Sequence, residues 1–467
     1  MKIYLETMGC QMNRLDSELV ATHLRRAGHE LTADRKAADV VLYNTCSVRR
    51  HAEEKVYSRL GADGRRKAHH RPRLILGVLG CMAQREGRDL QRRFPGVDVL
   101  CAPGRLGELV ELLDRAAAGS PAVALDPVRG RGGPARPSAP AAEETDALDL
   151  ARDPHQTARA YQAYVRVTRG CDNFCTYCVV PFVRGPERSR RPERIVEETR
   201  RLVDAGRSEI TLLGQTVNRY RYAPPAGEAP PVRFSDLLER VSGVAGLRRL
   251  RFVTSHPLDF GNDVLEAMRD LPNVCEYVHV PPQSGSDAVL KRMNRGYSRR
   301  QYDDLVDRTR AIVPGVVLAG DFIVGFPGET EADHAASVEL LRRSGFKNSF
   351  VFKYSPRPGT AAARLLPDDV PEEVKRRRNR ELLAVQQEVG LAHHGAYVGR
   401  TVEVLVEGPS VRADKQAAEP TAEATQLVGR SRGDHIVHFT APTRLAGQYV
   451  PVRITGATAL ALLGEPE

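Results

Sequence analysis

Hydrophobic and polar positions alternate in the first part of the chain in a way that predicts a layered α/β domain. A helical period at Asp16–Ala27 follows the first of several short apolar runs. Strands that alternate with helices are typical of a parallel sheet covered on both faces. We therefore predict a doubly wound parallel-sheet domain over residues 1–117. The predicted strands are Lys2–Thr7, Asp39–Asn44, Leu74–Leu79 and Val97–Leu100.

The α/β pattern continues through the centre of the chain, where strand-like runs alternate with amphipathic helical segments. The runs are Tyr164–Val167, Glu209–Leu213, Leu250–Thr254, Glu276–Val280, Val316–Val324 and Ser349–Tyr354. Six strands with interleaved helices predict an incomplete (β/α)6 barrel over residues 159–390. In such barrels the functional groups lie at the carboxyl ends of the strands.

The pattern changes at both ends of this barrel. Residues 391–460 show short strands with near-strict alternation, beginning at Thr401–Val406, and predict a small β-barrel. Residues 118–158 are rich in Ala, Pro, Gly and Arg and contain a stretch without hydrophobic period, so we predict a flexible linker there.

Composition narrows the class of protein. The 467 residues carry a formal net charge of +10, which favours a nucleic acid as partner. A general bias toward Arg in the organism's proteins is the alternative explanation of this net charge. No long apolar run and no signal-peptide core are present, so we expect a cytoplasmic protein without membrane contact. The eight cysteines are not spaced like a secreted disulfide framework, and a reducing compartment favours metal ligation.

Three cysteines, Cys171, Cys175 and Cys178, form the pattern C-x3-C-x2-C and are called the motif trio below. Thiolates this close can converge on one soft metal centre, and all-thiolate sites suit zinc or an iron–sulfur cluster. A structural zinc usually has four ligands, and no fourth Cys or His follows nearby. Three thiolates on a four-iron cluster leave one iron open to a substrate. The cluster is therefore favoured over zinc and over three unrelated core thiols.

A second set of cysteines follows the predicted strands of the first domain. Cys10, Cys46 and Cys81, the sheet trio, come after the first, second and third strands. Open parallel sheets bind ligands beyond the carboxyl ends of their strands, so these distant cysteines are expected to meet at one edge. We infer a second three-cysteine iron–sulfur cluster, with three buried structural thiols as the alternative.

The motif trio resembles the cluster motif of the radical S-adenosylmethionine (SAM) enzymes. The sequences GCQMN at 9–13, NTCSVR at 44–49 and GCMAQ at 80–84 resemble the N-terminal domain of the methylthiotransferases. The Gln-Met-Asn after the first cysteine is similar to the branch that acts on N6-isopentenyladenosine in tRNA. The ribosomal-protein branch typically has Pro-Lys-Asn there, and the threonylcarbamoyladenosine branch has Lys-Val-Asn.

This resemblance implies two [4Fe–4S] clusters and SAM as cofactors. The motif trio would hold the cluster that generates the 5′-deoxyadenosyl radical, and the sheet trio would hold an auxiliary cluster that presents sulfur. The implied reaction adds a methylthio group to C2 of N6-isopentenyladenosine next to the anticodon. A radical suits this step because that carbon is neither acidic nor electrophilic enough for ordinary acid–base chemistry.

Four further residues are candidates for contacts with SAM. Tyr177 stands where the radical SAM family usually has an aromatic residue, with simple packing as the alternative. Gln215 and Asn218 follow the second barrel strand, where an amide can hydrogen-bond a ligand or form a cap or turn. Gly325 lies in a segment that resembles the family's glycine-bearing strand near the adenosyl group, and a plain turn is its alternative.

The C-terminal segment resembles the TRAM domain, an RNA-binding module, and its candidate phosphate contacts are Arg400, Arg430 and Arg432. The expected partner is the anticodon stem-loop of tRNA, because proteins read RNA sequence mostly at unpaired bases. We also expect an electron donor such as a flavodoxin or ferredoxin, a sulfur source for the auxiliary cluster, and a monomeric chain.

Two alternatives stay open. Within the methylthiotransferases, the target would instead be threonylcarbamoyladenosine in tRNA or an aspartate of a ribosomal protein. From another class, the chain would be a non-catalytic, metal-stabilised RNA-binding protein. The paired three-cysteine sets argue against that class because structural sites usually close with four ligands.

Overall fold

The structure is a computed structural model that describes residues 1–47, 50–127, 146–157, 159–224, 230–410 and 425–467. It contains two α/β regions and a C-terminal β-barrel. Within the described residues, no helix combines the length and the apolar character that crossing a bilayer requires.

The N-terminal domain is a parallel sheet with helices on both faces, as predicted. Its strands lie in the order β2-β1-β3-β4-β5-β6, and every neighbouring pair is parallel. The strands are β1 (Lys2–Met8), β2 (Glu30–Leu31), β3 (Val40–Thr45), β4 (Ile75–Gly80), β5 (Val99–Cys101) and β6 (Ala122–Ala124). The helices are Gln11–Arg26, Arg50–His69, Cys81–Glu86, Arg88–Arg93 and Leu109–Ala117, with a 3-10 turn at Leu106–Glu108.

The two faces of this sheet bury separate cores because successive side chains of a strand point in opposite directions. Val40 and Leu42 of β3 contact the core under the first helix. Val41 and Tyr43 contact the core on the other face. A strand buried on both faces needs a continuous apolar run, which is the pattern seen in β3 and typical of parallel sheets.

The central domain contains six parallel strands in two adjoining three-stranded sheets, ordered β13-β10-β7 and β14-β15-β16. A single bridge between Leu250 and Val274 links the two sheets, which gives the predicted incomplete barrel. The strands of this domain, with four short connecting strands, are β7 (Gln162–Arg166), β8 (Thr168–Arg169), β9 (Arg188–Ser189), β10 (Glu209–Leu213), β11 (Arg221–Tyr222), β12 (Val232–Arg233), β13 (Arg249–Val253), β14 (Tyr277–His279), β15 (Val317–Val324) and β16 (Asn348–Lys353).

Helices cover the outside of the barrel, and the N-terminal domain covers part of its inside. Val165 and Leu212 face the surrounding helices in the largest core of the molecule. Tyr164, Leu213 and Val253, on the opposite faces of their strands, contact the core of the N-terminal domain. The helices are Val180–Val183, Pro192–Asp204, Phe234–Ser242, Asn262–Asp270, Asp287–Arg292, Arg299–Ile312, Glu331–Ser344, Ala361–Leu365 and Glu372–Gly395, with 3-10 turns at Val217–Arg219 and Pro257–Asp259.

The C-terminal domain is a closed barrel in the order β17-β18-β19-β21-β20, which confirms the predicted β-barrel. The predicted boundary at residue 390 falls inside the helix Glu372–Gly395, and the last strand runs beyond the predicted end at residue 460. The strands are β17 (Thr401–Pro409), β18 (Thr425–Ser431), β19 (Ile436–Ala441), β20 (Tyr449–Ala457) and β21 (Leu462–Pro466), with a 3-10 turn at Thr443–Leu445.

Two parts of the predicted linker, residues 118–158, belong to the folded domains instead. β6 completes the N-terminal sheet, and residues 146–150 are helical. Asp149 in that helix is buried and pairs with Arg166 of β7 at 2.5 Å. A linker composition does not reveal such anchors, because the partners are distant in sequence. Residues 128–145 lie outside the described part of the chain.

Candidate functional site

The motif trio lies on one short loop just beyond the carboxyl end of the first barrel strand. The loop follows β8 and ends in the helix Val180–Val183. Within it, Cys178 N donates to Cys175 O at 3.0 Å. Phe174 has φ of +47°, a left-handed conformation that bends the chain between the first two cysteines. The loop is therefore tightly folded by its own backbone.

Each sulfur of the motif trio has at least one polar neighbour. Such contacts stabilise thiolates and tune the potential of a bound cluster. Three thiols that each have a hydrogen-bonding partner are a donor set that fits an iron–sulfur cluster. The contacts are Val180 N to Cys178 Sγ (3.4 Å), Arg295 Nη1 to Cys175 Sγ (3.4 Å), and Thr216 Oγ1 to Cys171 Sγ (3.8 Å).

Burial works against ionisation of the free thiols. It raises the pKa of Cys171, and it raises the pKa of Cys178 to about 12. Metal binding would therefore release protons from this loop. Among the described residues, no three Cys, His, Asp or Glu side chains converge as ligands of a single metal ion. A four-iron cluster does not need that convergence, because each thiolate binds a different iron.

Strand register places the sheet trio at one edge of the N-terminal sheet. Met8 is the register partner of Thr45, and Thr45 is the register partner of Gly80. The three cysteines follow these strand ends by one or two residues. Parallel pairing of β1, β3 and β4 therefore brings together residues that are far apart in sequence.

A buried amide network fixes the loops behind the sheet trio. Asn44 Nδ2 donates to Asn13 O and to Ser17 Oγ, both at 2.9 Å, and Asn13 Nδ2 donates to Asn44 Oδ1 at 3.0 Å. Gly80 has φ of +86°, and a Cβ there would lie 2.5 Å from Asn44 Oδ1 and 3.0 Å from Thr45 O. Only glycine fits this position without displacing the network.

The thiols of the sheet trio interact with one another and with a shared cation. A hydrogen bond with Cys46 lowers the pKa of Cys10, and the nearby Arg184 guanidinium adds to that effect against burial. Burial raises the pKa of Cys81, which Arg184 counteracts. Arg184 therefore favours the thiolate form of two of the three cysteines.

The two trios are neighbours across the domain boundary. Cys81 packs against Val179, which directly follows Cys178, and against Val183 at the end of the next helix. All three side chains of this contact are buried. The segment that leaves the motif trio therefore forms part of the wall around the sheet trio.

A buried ion-pair network holds the domains in this arrangement. Asp16 of the N-terminal domain pairs with Arg166 and with Arg184 of the barrel, each at 2.8 Å. Arg166 also pairs with Asp149 at 2.5 Å. Buried charges are retained where every partner is present, so this network specifies one relative position of the two domains.

Tyr177 belongs to the motif loop and packs against the glycine-bearing segment that the sequence predicts to contact SAM. Its ring meets the ring of Phe326 edge-on, with centroids 6.5 Å apart. Phe326 directly follows Gly325. Gly325 has φ of +69°, its N–H donates to the Glu329 carboxylate, and a Cβ there would lie 2.3 Å from Lys375 Cγ. Internal packing is therefore sufficient to require glycine at this position.

Asn218 forms a loop anchor. It is buried, its Nδ2 donates to His256 O, and its Oδ1 accepts from His256 N, both at 2.9 Å. This pairing ties the loop after β10 to the loop after β13, and it favours the turn-forming role that the sequence left open. Gln215 is half-buried in the same loop, next to Thr216.

The three candidate RNA contacts have different surroundings. Arg400 is exposed, with its guanidinium 5.7 Å from the centroid of the Tyr397 ring. Arg432 pairs with Glu276 of the central barrel, and Arg430 pairs with Asp434 at 2.9 Å and with a second carboxylate. Arg430 and Arg432 are therefore half-buried and engaged in ion pairs, whereas Arg400 is exposed. All three stay predicted phosphate contacts, and Arg400 is the most accessible of them.

Sequence reasoning missed the neighbours of the sulfurs. Arg295 lies 120 residues from Cys175, and Thr216 lies 45 residues from Cys171. No spacing pattern connects residues so far apart. Arg184 follows Cys178 by a few residues, so the sequence places it near the motif trio. Only the fold brings it to the sheet trio.

A cavity of about 150 Å³ lies where the three domains meet. Gln11 and Arg14 line it from the helix that follows Cys10. Tyr164 and Tyr277 line it from the concave face of the barrel, and Arg430 from the C-terminal domain. The cavity therefore contains aromatic, cationic and acidic groups, and it lies toward the amino ends of the barrel strands, since Gln162, Glu209 and Tyr277 in its lining begin β7, β10 and β14.

Comparison with known proteins agrees with this architecture. Residues 2–102 match the family model described as "Uncharacterized protein family UPF0004", and residues 165–341 match the model of the radical SAM superfamily. Among solved structures, the chain is similar to the radical SAM methyltransferase TsrM from Kitasatospora setae, with a TM-score of 0.54 and 16% identity over 78% of this chain and 75% of that chain. At that identity the likeness concerns the fold alone.

Similarity to curated proteins extends over nearly the whole chain. A tRNA-2-methylthio-N(6)-dimethylallyladenosine synthase of Rhodopirellula baltica is 47% identical over 465 residues, which are 99% of this chain and 95% of that protein. A synthase of the same name from Moorella thermoacetica is 43% identical and covers 98% of this chain and 97% of its own length.

Proposed function

This chain belongs to the family of the tRNA-2-methylthio-N(6)-dimethylallyladenosine synthases, which are radical SAM methylthiotransferases, and we propose that it adds a methylthio group to C2 of N6-isopentenyladenosine next to the anticodon of tRNA. The cofactors of the superfamily are SAM and a [4Fe–4S] cluster. The presence of a second cluster is part of the proposal.

We assign the first cluster to the motif trio and the second to the sheet trio. When bound, the first cluster supplies the electron for reductive cleavage of SAM to a 5′-deoxyadenosyl radical, and the second presents the sulfur. The buried contact of Cys81 with Val179 and Val183 brings the two trios close together. That contact is the observation on which the two-cluster proposal depends, since radical generation and sulfur transfer must occur close together.

We assign the adenine base to the carboxyl ends of the barrel strands, because the motif trio follows the first of these strands and the sheet trio packs against the segment that leaves it. An unpaired anticodon-loop base can leave its stack to reach such a site. The cavity at the meeting point of the domains is a different place, since Gln162, Glu209 and Tyr277 in its lining begin β7, β10 and β14.

The remaining partners follow from the chemistry. A one-electron donor of the flavodoxin or ferredoxin type would reduce the first cluster, and a sulfur source would restore the second. We propose that the enzyme acts as a monomer in the cytoplasm, where its tRNA substrate is found.

Nucleoside analysis of tRNA tests the assignment. A strain lacking this gene should lose 2-methylthio-N6-isopentenyladenosine and accumulate N6-isopentenyladenosine, and the intact gene should restore it. Persistence of the methylthio nucleoside would overturn the proposal. Loss of 2-methylthio-threonylcarbamoyladenosine or of a methylthio-aspartate in a ribosomal protein would instead identify one of the alternative targets.

Metal analysis tests the two-cluster assignment against a non-catalytic RNA-binding protein. Anaerobic reconstitution should give about eight irons per chain, as two four-iron clusters require. Bound zinc, with no SAM cleavage under a strong reductant, would favour the non-catalytic alternative.

The RNA surface is tested by comparing two arginines of the C-terminal domain. Arg400→Ala should weaken tRNA binding and reduce the slope of log Kd against log salt by about one, as loss of one phosphate contact does. Arg432→Ala removes a half-buried guanidinium that is engaged in a junction ion pair, so it should reduce that slope by less. A larger reduction in Arg432→Ala than in Arg400→Ala would contradict this order of accessibility.

A further inference from the structure

Arg295 is buried beside the motif trio and held in one orientation. Its Nη1 donates to Cys175 Sγ at 3.4 Å, its Nη2 to Pro281 O at 3.1 Å, and its Nε to Tyr297 Oη at 3.1 Å. The Tyr297 hydroxyl in turn donates to Pro282 O at 2.8 Å. Backbone carbonyls after β14 therefore aim the guanidinium at one sulfur of the trio.

The charge of Arg295 has no carboxylate partner within the part of the chain that the structure describes. A buried guanidinium is costly unless an anion compensates it. The ionisable groups around it include no carboxylate among the described residues; they are Cys175, Cys178, Tyr177, Tyr297, Tyr302 and His256. Tyrosine hydroxyls are ordinarily neutral near pH 7. A metal-bound thiolate at Cys175 is therefore the anion that this position is built to face.

The neighbouring segment keeps Arg295 and the motif loop at a fixed distance. Asn294 Nδ2 donates to Phe174 O at 3.2 Å, and Thr176 N donates to Met293 O at 3.0 Å. Residues directly before Arg295 thus hold the loop that carries Cys175. The hydrogen bonds at Phe174 and Thr176 therefore flank the contact between Arg295 and the sulfur of Cys175.

The sheet trio has a cation of a different kind. Arg184 lies near Cys10 and Cys81, but it pairs with the buried Asp16 carboxylate at 2.8 Å. That carboxylate, which Arg184 shares with Arg166, compensates part of its charge. One trio therefore faces an uncompensated positive charge, and the other faces an ion pair.

We propose that Arg295 tunes the redox potential of the cluster bound at the motif trio. Reduction by one electron adds negative charge to the cluster, and hydrogen bonds to sulfur and nearby charge set its potential. A fixed cation with an N–H···S contact stabilises the reduced state more than the oxidised state. This inference rests on the proposed function, because it requires a [4Fe–4S] cluster at the motif trio.

The test uses the full chain with Cys10, Cys46 and Cys81 all changed to Ala, so that only the motif trio loads. Dithionite titration followed by electron paramagnetic resonance gives the midpoint of the single cluster. Arg295→Met should lower the equilibrium constant for its reduction about tenfold, which is a midpoint lower by about 59 mV for a one-electron couple. Arg295→Lys, which keeps the charge, should recover at least half of that shift.

A matched control is Arg292→Met in the same segment. Arg292 is half-buried, donates to Gly328 O at 3.0 Å and pairs with Asp333 at 3.7 Å, and its side chain contacts no sulfur of the described residues, so its loss should leave the midpoint unchanged. If Arg295→Met does not take up iron, Arg295→Gln and Arg295→Lys give the same comparison, since both keep a donor and only one keeps the charge.

The outcomes separate this inference from the proposed function. An unchanged midpoint in Arg295→Met, or equal shifts in the neutral and charged variants, would overturn the tuning role. An unchanged midpoint with weaker SAM binding would assign Arg295 to the SAM carboxylate instead and would also overturn it. A parent chain that binds no iron would overturn the two-cluster function itself.

Discussion

The two cysteine trios differ in how the chain brings their sulfurs together. The motif trio lies within eight residues, from Cys171 to Cys178, on one loop that neighbouring segments hold by hydrogen bonds. The sheet trio spans Cys10 to Cys81 and meets only because β1, β3 and β4 pair in register. A local site depends on loop geometry, whereas a site built from strand ends depends on the whole sheet. Damage to the fold should therefore affect the second before the first.

The cations beside the two trios also differ: one is held by residues of its own domain, and the other is part of the interface between two domains. Arg295 is oriented by carbonyl oxygens near its own segment and faces Cys175 without a carboxylate partner among the described residues. Arg184 is shared between the sheet trio and Asp16, which also binds Arg166. The sheet trio is thus tied to the domain interface, so its chemistry and the docking of the two domains are not independent.

The largest expected effect separates the trios by function. Cys175→Ala and Cys10→Ala should each abolish methylthiolation and each lose about four of about eight irons per chain. Only Cys175→Ala should also abolish SAM cleavage, because radical generation is assigned to the motif trio. Iron content and 5′-deoxyadenosine release measure the two effects. SAM cleavage lost in both variants would show that the trios do not act separately.

The second-largest effect is expected from Asp16, the carboxylate at the interface between the N-terminal domain and the barrel. Asp16→Asn should destabilise the chain by about 3–5 kcal/mol, because it leaves two buried guanidinium groups without a common partner. Urea unfolding gives the loss of stability, and iron analysis should show depletion at the sheet trio.

The control for Asp16 is Glu193→Gln, which removes an exposed ion pair with Arg240 and should cost no more than about 1 kcal/mol. Equal losses in the two variants would mean that the buried network does not hold the domains together.

A smaller effect is expected from a backbone substitution at the sheet trio. Gly80→Ala should cost about 1–3 kcal/mol, because φ of +86° with ψ of −155° is a conformation essentially restricted to glycine, and more because its Cβ would clash with Asn44 Oδ1. Gly28→Ala is the matched control, since its φ is +82° but nothing lies within 4 Å of the added Cβ. Only Gly80→Ala should reduce iron at the sheet trio. Equal iron contents in Gly80→Ala and Gly28→Ala would contradict the predicted clash with Asn44.

The smallest effect is expected at the motif trio. Thr216→Val keeps the side-chain shape but removes a contact of 3.8 Å to Cys171 Sγ and the hydrogen bond that Asn173 Nδ2 donates to Thr216 Oγ1 at 3.3 Å, which half-buried Asn173 can replace with water. Weak contacts of this kind contribute about 0.5–1 kcal/mol, so SAM cleavage should fall no more than about fivefold. Iron content should stay at the parent value. Loss of iron in Thr216→Val would mean that the motif loop depends on Thr216 to bind its cluster.

The sequence predicted the features that follow from a periodic pattern of buried positions or from residues close together in the chain. Strand and helix periodicity predicted the doubly wound sheet, the incomplete barrel and the C-terminal barrel, because period follows from which face is buried. The rule that strand ends meet predicted that Cys10, Cys46 and Cys81 approach one another. It could not predict that Asn218 is engaged with a neighbouring loop, or that Arg432 pairs with Glu276, since both depend on packing between segments distant in the chain.

The sequence by itself determined the chemistry that the chain carries: two sets of three thiols, one in a C-x3-C-x2-C spacing and one after successive strands. Residue type and local spacing are covalent properties, so they can be read without a fold. Only the tertiary structure decided that Cys81 packs against the segment leaving Cys178, and that Arg295 faces one trio while Arg184 and Asp16 serve the other. Those contacts arise from domain docking, which depends on the burial of surfaces that no single segment contains.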